Sequence, residues 1–315
     1  MATLSSKYIA GFLDADGSIG VVFKADCLTP QLNISFSQKT DQDEVLQRIH
    51  EEWGGSYRVE HVNGVAYSNL VFGGNKQASM LLNRIRQFLV IKRHYADVCL
   101  DVCSRKIARE EIPKVREYLK VHRKQPALPL PKHPTRKWLA GYIDGDGCIS
   151  VQNISKHSGA AYLVLHIAAS SFDTEGLEII QKQFGGRIND MCQGRVKQYQ
   201  LSLQPSKIQE VFAPIVDAMI VKRDQAEFIL KCAAMGHLRD GESIKAALKH
   251  LKAHPHRLSE PKPDLAKLFA TVRDLPAHVR DPEEHAASVR KMHAALATKR
   301  AMRQSATPAL VGADV

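Results

Sequence analysis

The sequence predicts an α+β fold made of two tandem αββαββα domains related by a pseudo-twofold axis, followed by a helical C-terminal extension. The first observation is an internal repeat, in which YIAGFLDADGSI at Tyr8–Ile19 returns 130 residues later as WLAGYIDGDGCI at Trp138–Ile149. The second is that a later landmark keeps the same offset, since LVIKR at 89–93 returns as MIVKR at 219–223. Self-similarity at one offset indicates duplication of a whole domain.

The first half of copy one predicts a helix followed by two strands. Ser5 or Ser6 is expected to cap a helix that runs to about Asp14. Residues 18–24 and 30–38 read as strands, and the second of them alternates polar with apolar residues so that one face is polar. This order gives the first αββ unit.

The second half of copy one predicts the same order again. Asp41 is expected to cap a helix that runs to Trp53. Two strands flank the strong hairpin turn Asn63–Gly64, and apolar residues recur at helical spacing over 78–89. A last helix follows Lys92 and completes the order αββαββα.

Copy two repeats these elements after a proline-rich join. Thr135 is expected to cap its first helix. The other predicted elements are strands near 147–153, 161–169, 186–191 and 196–203 and helices near 173–184, 206–219 and 222–235. The predicted domains are 1–125 and 135–236, with a linker at 126–134 and an extension at 237–315 that has no counterpart in copy one.

The charge of the chain predicts a polyanionic partner. Lys and Arg number 44 against 33 Asp and Glu, which gives a net charge of +11 at pH 7 and favours nucleic acid or an anionic membrane surface. No apolar run is long enough to span a bilayer, and the N-terminus lacks the order of a signal peptide. We therefore expect an intracellular protein without a membrane partner, with organelle, bacterial and phage origins all open.

The repeated helix carries a stripe of small residues. Gly11 and Ala15 are four residues apart, and so are Gly141 and Gly145, which places each pair on one helical face. Two such faces allow two helices to approach backbone to backbone. We expect these four residues to form the interface between the two domains.

Asp16 and Asp146 are expected at the C-terminal ends of the two repeated helices. A helix C-terminus has partial negative charge, so carboxylates there are disfavoured, and two that converge repel each other further. A cation offsets both effects, and hard oxygen ligands suit Mg²⁺. A basic protein with carboxylate-bound Mg²⁺ is a candidate for phosphodiester chemistry. For Asp14 and Asp144 we expect a structural role, as acceptors for nearby backbone N–H groups.

These residues resemble the signature of the LAGLIDADG homing endonucleases. IAGFLDADG at 9–17 and LAGYIDGDG at 139–147 both match the signature nonapeptide closely, and the likeness covers about residues 5–235. Two motifs in one chain imply the single-chain, pseudosymmetric branch, a monomer whose two sheets form a saddle on the DNA major groove. The resemblance implies Mg²⁺-dependent cleavage of both strands of a long, specific duplex site with short 3′ overhangs, with Mn²⁺ as a substitute ion.

The resemblance assigns the metal site to the ends of the two motif helices. In the family the last motif acid binds metal at the scissile phosphates, and this acid matches Asp16 and Asp146. The backbone carbonyl of the preceding residue also ligates the metal, which points to Ala15 and Gly145.

Two further roles follow from the same resemblance. A lysine at the start of the last domain helix stabilises charge near the cut, and it matches Lys92 and Lys222. A polar residue at the end of the second strand orders the attacking water, and Gln38 matches it. In copy two this position falls on Ala169 or Ser170, so we expect one DNA strand to be cut faster than the other.

Base recognition is expected from the polar faces of the strands, because a two-stranded ribbon fits the major groove, where base edges carry distinct donor and acceptor patterns. The candidate DNA-binding residues in copy one are Lys24, Gln31, Asn33, Ser35 and Ser37. Those in copy two are Ser150, Gln152, Lys156, Arg187, Asn189, Gln198, Gln200 and Ser202.

Two other functions fit the same fold. One is an intron RNA maturase, an RNA-binding splicing helper, and the other is a non-catalytic DNA-binding regulator. Both motif acids, both lysines and Gln38 are present, which favours cleavage of double-stranded DNA over either alternative.

Overall fold

Helices and strands alternate twice along the chain. In this computed structural model the residues described are 3–25, 27–123, 134–154, 161–170, 174–191, 196–234 and 241–253. The first repeat contains α1 (Ser6–Asp16), β1 (Gly17–Val22), β2 (Gln31–Lys39), α2 (Glu44–Trp53), β3 (Ser56–Val62), β4 (Val65–Gly73), α3 (Asn75–Ile85), α4 (Arg93–Cys103) and α5 (Ile112–Arg123). The second contains α6 (Arg136–Asp146), β5 (Gly147–Ile154), β6 (Ala161–Ser170), α7 (Glu175–Phe184), β7 (Arg187–Met191), β8 (Val196–Ser202), α8 (Pro205–Phe212), α9 (Arg223–Ala234) and α10 (Gly241–Ala253).

Each repeat forms one four-stranded antiparallel sheet. The strand orders are β1-β2-β4-β3 and β5-β6-β8-β7, so the two sheets have the same topology and confirm the predicted αββαββα order. The turn between β3 and β4 is the one predicted, with Asn63 at φ 52° and Gly64 at φ 79°. Two positive φ angles in a two-residue hairpin loop match the twist of the flanking strands.

Helices cover the apolar side of each sheet, and the alternation along β2 explains why. Leu32 and Ile34 are fully buried and Phe36 is 1% exposed, whereas the residues between them are partly exposed. In β6 the residues Leu165 and Ile167 take the same inward positions. We call the opposite side of each sheet its outer face. None of the described helices is long and apolar enough to cross a membrane.

The motif helices α1 and α6 pack against each other along the predicted small-residue stripe. A Cβ atom added to Gly11 would overlap the carbonyl oxygen of Trp138, and one added to Gly141 would overlap the carbonyl oxygen of Tyr8. One added to Gly145 would overlap the Cβ atom of Ala15. Backbone-to-backbone contact between the helices therefore requires glycine at these positions.

Two predicted helix boundaries differ from the structure. Asp41 does not cap α2, because residues 40–42 form a 3₁₀ turn and α2 begins after Asp43. The Asp43 carboxylate is buried and accepts hydrogen bonds from Tyr57 and Ser68 of the sheet, which fixes the start of the helix there. The helix predicted over 206–219 ends at Phe212 and is followed by a 3₁₀ turn at 216–218.

The prediction that residues 237–315 have no counterpart in copy one does not hold for α10, which corresponds to α5. Helix α10 follows α9 as α5 follows α4, at nearly the same offset as the rest of the repeat. Their contacts differ, since α5 packs on α4 whereas α10 packs on α9, β5 and β6. Most of the predicted linker at 126–134 and the rest of the extension lie outside the described residues.

Candidate active site

The C-terminal ends of α1 and α6 meet, and each ends in the second aspartate of its motif. Position Gly145 shows how close they are, because a Cβ atom built there would lie 3.3 Å from the backbone nitrogen of Asp16 and 3.5 Å from its Cβ atom. Helix α1 ends at Asp16 and helix α6 ends at Asp146. The two acids therefore come from different repeats and lie at one junction.

The first motif aspartates hold the loops that lead into α4 and α9. Asp14 accepts hydrogen bonds from the backbone N–H groups of Val90 (2.7 Å) and Lys92 (2.9 Å). Asp144 accepts the equivalent bonds from Ile220 (2.6 Å) and Lys222 (2.9 Å). Burial raises the pKa of both carboxyl groups, and the nearby lysines and these N–H donors oppose the rise. The geometry agrees with the structural role expected for Asp14 and Asp144.

Lys92 and Lys222, which directly precede α4 and α9, lie against the backbone at the ends of the motif helices. The Lys92 ammonium donates to the carbonyl oxygens of Leu13, Asp14 and Gly17, each at 2.8 Å. Contacts of this kind satisfy carbonyls that a helix C-terminus leaves without intrahelical partners and offset its negative dipole. Lys92 is thus held by the structure and is not a solvated surface lysine.

Lys222 occupies the corresponding place in the second repeat. Its ammonium donates to the carbonyl oxygens of Asp144 and of Gly145, the latter at 3.2 Å. Burial lowers the pKa of Lys222, and the carboxylates of Asp144, Asp16 and Asp146 oppose this effect. This lysine therefore lies in the field of acids from both repeats.

Asp16 is a mostly buried carboxylate with one amide donor. Burial raises its pKa, and Lys222, the Gln38 hydrogen bond and Lys92 oppose the rise. Gln38 follows Phe36 on the helix-facing side of β2, which brings its amide to the end of α1. The corresponding strand position in β6 is taken by Ala169, whose side chain cannot form this bond.

The donor atoms at this junction fit a hard divalent cation. Two carboxylates and the backbone carbonyls of Ala15 and Gly145 are oxygen ligands of the kind that Mg²⁺ and Ca²⁺ prefer. Within the part of the chain that the structure describes, no group of three or more His, Cys, Asp and Glu side chains is arranged for a metal. Asp16 and Asp146 would supply the side-chain oxygens, and backbone oxygens, water or substrate oxygens would complete the coordination.

Most of the residues predicted to read DNA share the outer faces of the two sheets. Gln31, Asn33, Ser35 and Ser37 alternate with the buried residues of β2, and Lys24 is exposed two residues after β1. In the second sheet the outer face carries Ser150, Arg187, Asn189, Gln198, Gln200 and Ser202. Gln152 lies in β5, whereas Lys156 lies outside the described residues.

The second repeat matches a known protein-family model. Residues 139–229, from the second motif into α9, match the family model described as LAGLIDADG endonuclease. The chain resembles the LAGLIDADG endonucleases. This confirms the resemblance read from the two motifs, and the match together with the fold supports assignment as a DNA endonuclease. No curated protein sequence matches the chain.

Solved LAGLIDADG structures share the fold over most of the chain. Meganuclease I-SmaMI, bound to uncleaveable DNA, is 17% identical with a TM-score of 0.59, covering 81% of this chain and 98% of its own. LAGLIDADG meganuclease I-AabMI, bound to uncleaved DNA, has the same identity and TM-score over 79% and 98%. LAGLIDADG homing endonuclease I-GzeII, in complex with its DNA target, is 14% identical with a TM-score of 0.55 over 88% and 100%.

The strand register also places on the outer face residues that the sequence pattern did not predict. Ser37 of β2 pairs with Asn69 of β4, and Asn69 pairs with Arg58 of β3, so these three side chains form one row across the sheet. Lys39 and Tyr67 form the next row. Exposed valines obscure the alternation in β3 and β4. These residues can therefore be found only when the pairing register with β2 is known.

Proposed function

We propose that the chain is a site-specific homing endonuclease that hydrolyses both strands of a long double-stranded DNA target with Mg²⁺, leaving short 3′ overhangs. One observation carries the proposal. Asp16 and Asp146, from different repeats, meet at the ends of two touching helices with the Lys222 ammonium in their field. Such convergence of acids at helix C-termini is unfavourable, and a bound cation would offset it together with the lysine.

The metal site in this proposal consists of the two aspartates and the carbonyl oxygens that precede them. A bound Mg²⁺ would supply positive charge for the scissile phosphate oxygens and lower the pKa of a coordinated water. One of the similar structures, I-SmaMI with uncleaved DNA, was obtained in the presence of calcium ions. Oxygen ligands accept Mn²⁺ as well, so Mn²⁺ is expected to replace Mg²⁺.

Lys92 and Lys222 contribute to the reaction in two ways, by positioning the aspartates and by adding positive charge. Each ammonium binds the last carbonyls of a motif helix and so positions the aspartate that follows. Their positive charge also lies where the phosphate gains negative charge during hydrolysis, and preorganised charge of this kind lowers the barrier. The two lysines are therefore expected to be needed for cleavage of both strands.

Gln38 makes the two half-sites unequal. Its amide bonds to Asp16, which holds the amide beside the first aspartate, where it is expected to orient the attacking water. The second repeat offers Ala169 at this position, which has no polar atom in its side chain. We therefore expect different cleavage rates for the two strands.

Recognition of the duplex is assigned to the outer faces of both sheets. The two faces expose amides, hydroxyls and cations from adjacent strands, which suit the donors and acceptors of base edges in the major groove. The net charge of +11 favours binding to the phosphate backbone. Since one chain supplies both motif helices, the proposed active form is a monomer.

The test is incubation of the purified chain with a duplex of its host gene in which the exons are joined without the intron. We expect one double-strand break when Mg²⁺ or Mn²⁺ is present and intact duplex when EDTA is added. Binding without a break under both ions would favour the DNA-binding regulator. Binding to the intron RNA in place of the duplex would favour the maturase.

A further inference from the structure

Helix α10 brings a lysine to the strand that follows the second motif. Lys252 lies in the last turn of α10, and its Nζ atom is 3.4 Å from the Sγ atom of Cys148. Cys148 is the second residue of β5, two positions after Asp146. The Lys252 ammonium therefore lies near the helix-to-strand junction that carries the second metal-binding aspartate.

The strand pairing shows that this ammonium is on the outer-face side of the second sheet. Cys148 is exposed, whereas its neighbour Ile149 is fully buried on the helix side. Cys148 pairs with His166, which in turn pairs with Gln200, so the three share the outer face. Burial lowers the pKa of His166, and the positive charge of Lys252 lowers it further, which agrees with this placement.

Helix α10 is anchored so that Lys252 is held in place. Ile244, Ala247, Leu248 and Leu251 recur at helical spacing and are at most 4% exposed, and the helix packs against β5, β6 and α9. Among the described residues no carboxylate forms an ion pair with Lys252. A lysine on a fixed helix loses less conformational freedom when it binds an anion than one on a free loop does.

We propose that Lys252 binds a DNA backbone phosphate beside the second cleavage position and acts there as a positioning residue. The proposal rests on the proposed endonuclease function. An ammonium at the edge of a polar strand face suits a phosphate, because lysine binds phosphate as a compact point charge. The bound phosphate would fix the duplex relative to Asp146, two residues from the thiol that Lys252 contacts.

The contact is specific to the second half-site. The residue of α5 at the position of Lys252 is His122, whose Nδ1 atom lies 2.9 Å from Nε2 of His94 and whose ring packs on Tyr118. The first half-site has Gln38 beside Asp16, and the second has Lys252 beside Cys148. Gln38 thus bonds to the second motif aspartate of its repeat, whereas Lys252 contacts the residue two positions after the equivalent aspartate.

Binding to a mixed-sequence duplex in Ca²⁺ tests the phosphate contact separately from cleavage. Lys252→Met is expected to weaken binding about tenfold at low salt and to reduce the slope of log K against log salt by about 0.9, the value for one phosphate contact. Lys252→Arg is expected to keep both values. Lys245→Met, an exposed lysine on the same helix, is the matched control and is expected to match the wild type.

Strand-resolved cleavage of the host-gene duplex tests the position of the contact. Lys252→Met is expected to slow one strand by about tenfold and leave the other within about twofold, while Lys245→Met affects neither. Circular dichroism spectra and melting curves establish that the variants are folded, and Lys252→Gln serves if the Met variant is not.

The outcomes separate this inference from the function on which it rests. If the wild type binds and cuts but Lys252→Met keeps the wild-type salt slope, the phosphate contact is wrong and the endonuclease stands. Equal slowing of both strands also contradicts a contact confined to the second half-site. If the wild type neither binds nor cuts duplex DNA, the proposed function fails and this inference fails with it.

Discussion

Tyr8 of the first repeat donates its hydroxyl hydrogen to Asp144 of the second repeat, over 2.7 Å. The second repeat returns the contact, since Nε1 of Trp138 donates to Asp14 over 2.8 Å. All four residues are buried. Each structural aspartate is thus satisfied by backbone N–H groups of its own repeat and by an aromatic donor of the other. The inter-repeat packing and the geometry of the candidate active site therefore depend on the same groups.

The Tyr8 hydroxyl is expected to contribute measurably to stability. Tyr8→Phe keeps the ring and removes a buried donor to a carboxylate, which should lower the free energy of unfolding by about 1.5–3 kcal/mol. Urea denaturation measures the change. Tyr118→Phe is the control, because the Tyr118 side chain is 46% exposed. A loss no larger than that of the control would mean that the inter-repeat hydrogen bond contributes nothing.

Glycine at position 11 is expected to be essential for the α1–α6 contact. Gly11→Ala gains about 1 kcal/mol of helix propensity, yet the new methyl overlaps the Trp138 carbonyl oxygen, and overpacking of this kind costs about 1–3 kcal/mol or more. We expect net destabilisation in thermal melts. Gly20→Ala adds the same methyl where no atom lies within 4 Å, and it should change stability by less than about 0.5 kcal/mol. A neutral Gly11→Ala would contradict the close approach.

Without metal, Asp16 is expected to oppose folding at neutral pH. Burial raises its pKa above the ordinary value of 3.8, so the folded chain binds this proton more tightly than the unfolded chain does. Stability is then lost as pH rises from 3.8 through the raised pKa. In EDTA, Asp16→Asn should melt at a higher temperature than the wild type at pH 7, and the difference should disappear below pH 3.8.

With added Mg²⁺, the wild type should melt at a higher temperature than Asp16→Asn. An ion that binds only the folded chain raises its melting temperature, so Mg²⁺ should stabilise the wild type and leave Asp16→Asn unchanged. An equal response of both proteins to Mg²⁺ would contradict a site built on Asp16.

Gln38 is expected to control the rate at only one strand. Gln38→Ala should slow that strand by about 10²-fold or more, since positioned proton acceptors and donors contribute factors of this size. Duplexes labelled on one strand at a time measure the two rates. Gln87→Ala, an exposed glutamine near α4, is the control. Equal effects on both strands would contradict the prediction that Gln38 and Ala169 make the two half-sites unequal.

Much of the fold and the site follows from local sequence, because repetition and small residues are visible without coordinates. The 130-residue offset, the glycine stripe and the position of Asp16 at the end of α1 were all predictable on this basis. The contacts of Lys92 were not, because its carbonyl partners lie more than 70 residues away in sequence. The resemblance gave Lys92 a role near the cut but did not give the carbonyl oxygens that it contacts.

The missed residues share one physical reason. Arg58 and Asn69 align with Ser37 only through the register of three strands, and that register depends on long-range pairing. Lys252 contacts a strand residue that lies 104 positions earlier in the sequence, so its sequence neighbours do not indicate the site it reaches. Local periodicity predicts elements, whereas neighbouring side chains on different elements require the packed structure.

The most direct test of the proposed metal site is cleavage of the intronless duplex by single variants of the two converging acids. Asp16→Asn and Asp146→Asn should each fold, bind the duplex in Ca²⁺ and fail to make a double-strand break in Mg²⁺, because each removes one carboxylate from the same junction. Persistence of double-strand breaks at the wild-type rate in either variant would contradict the account.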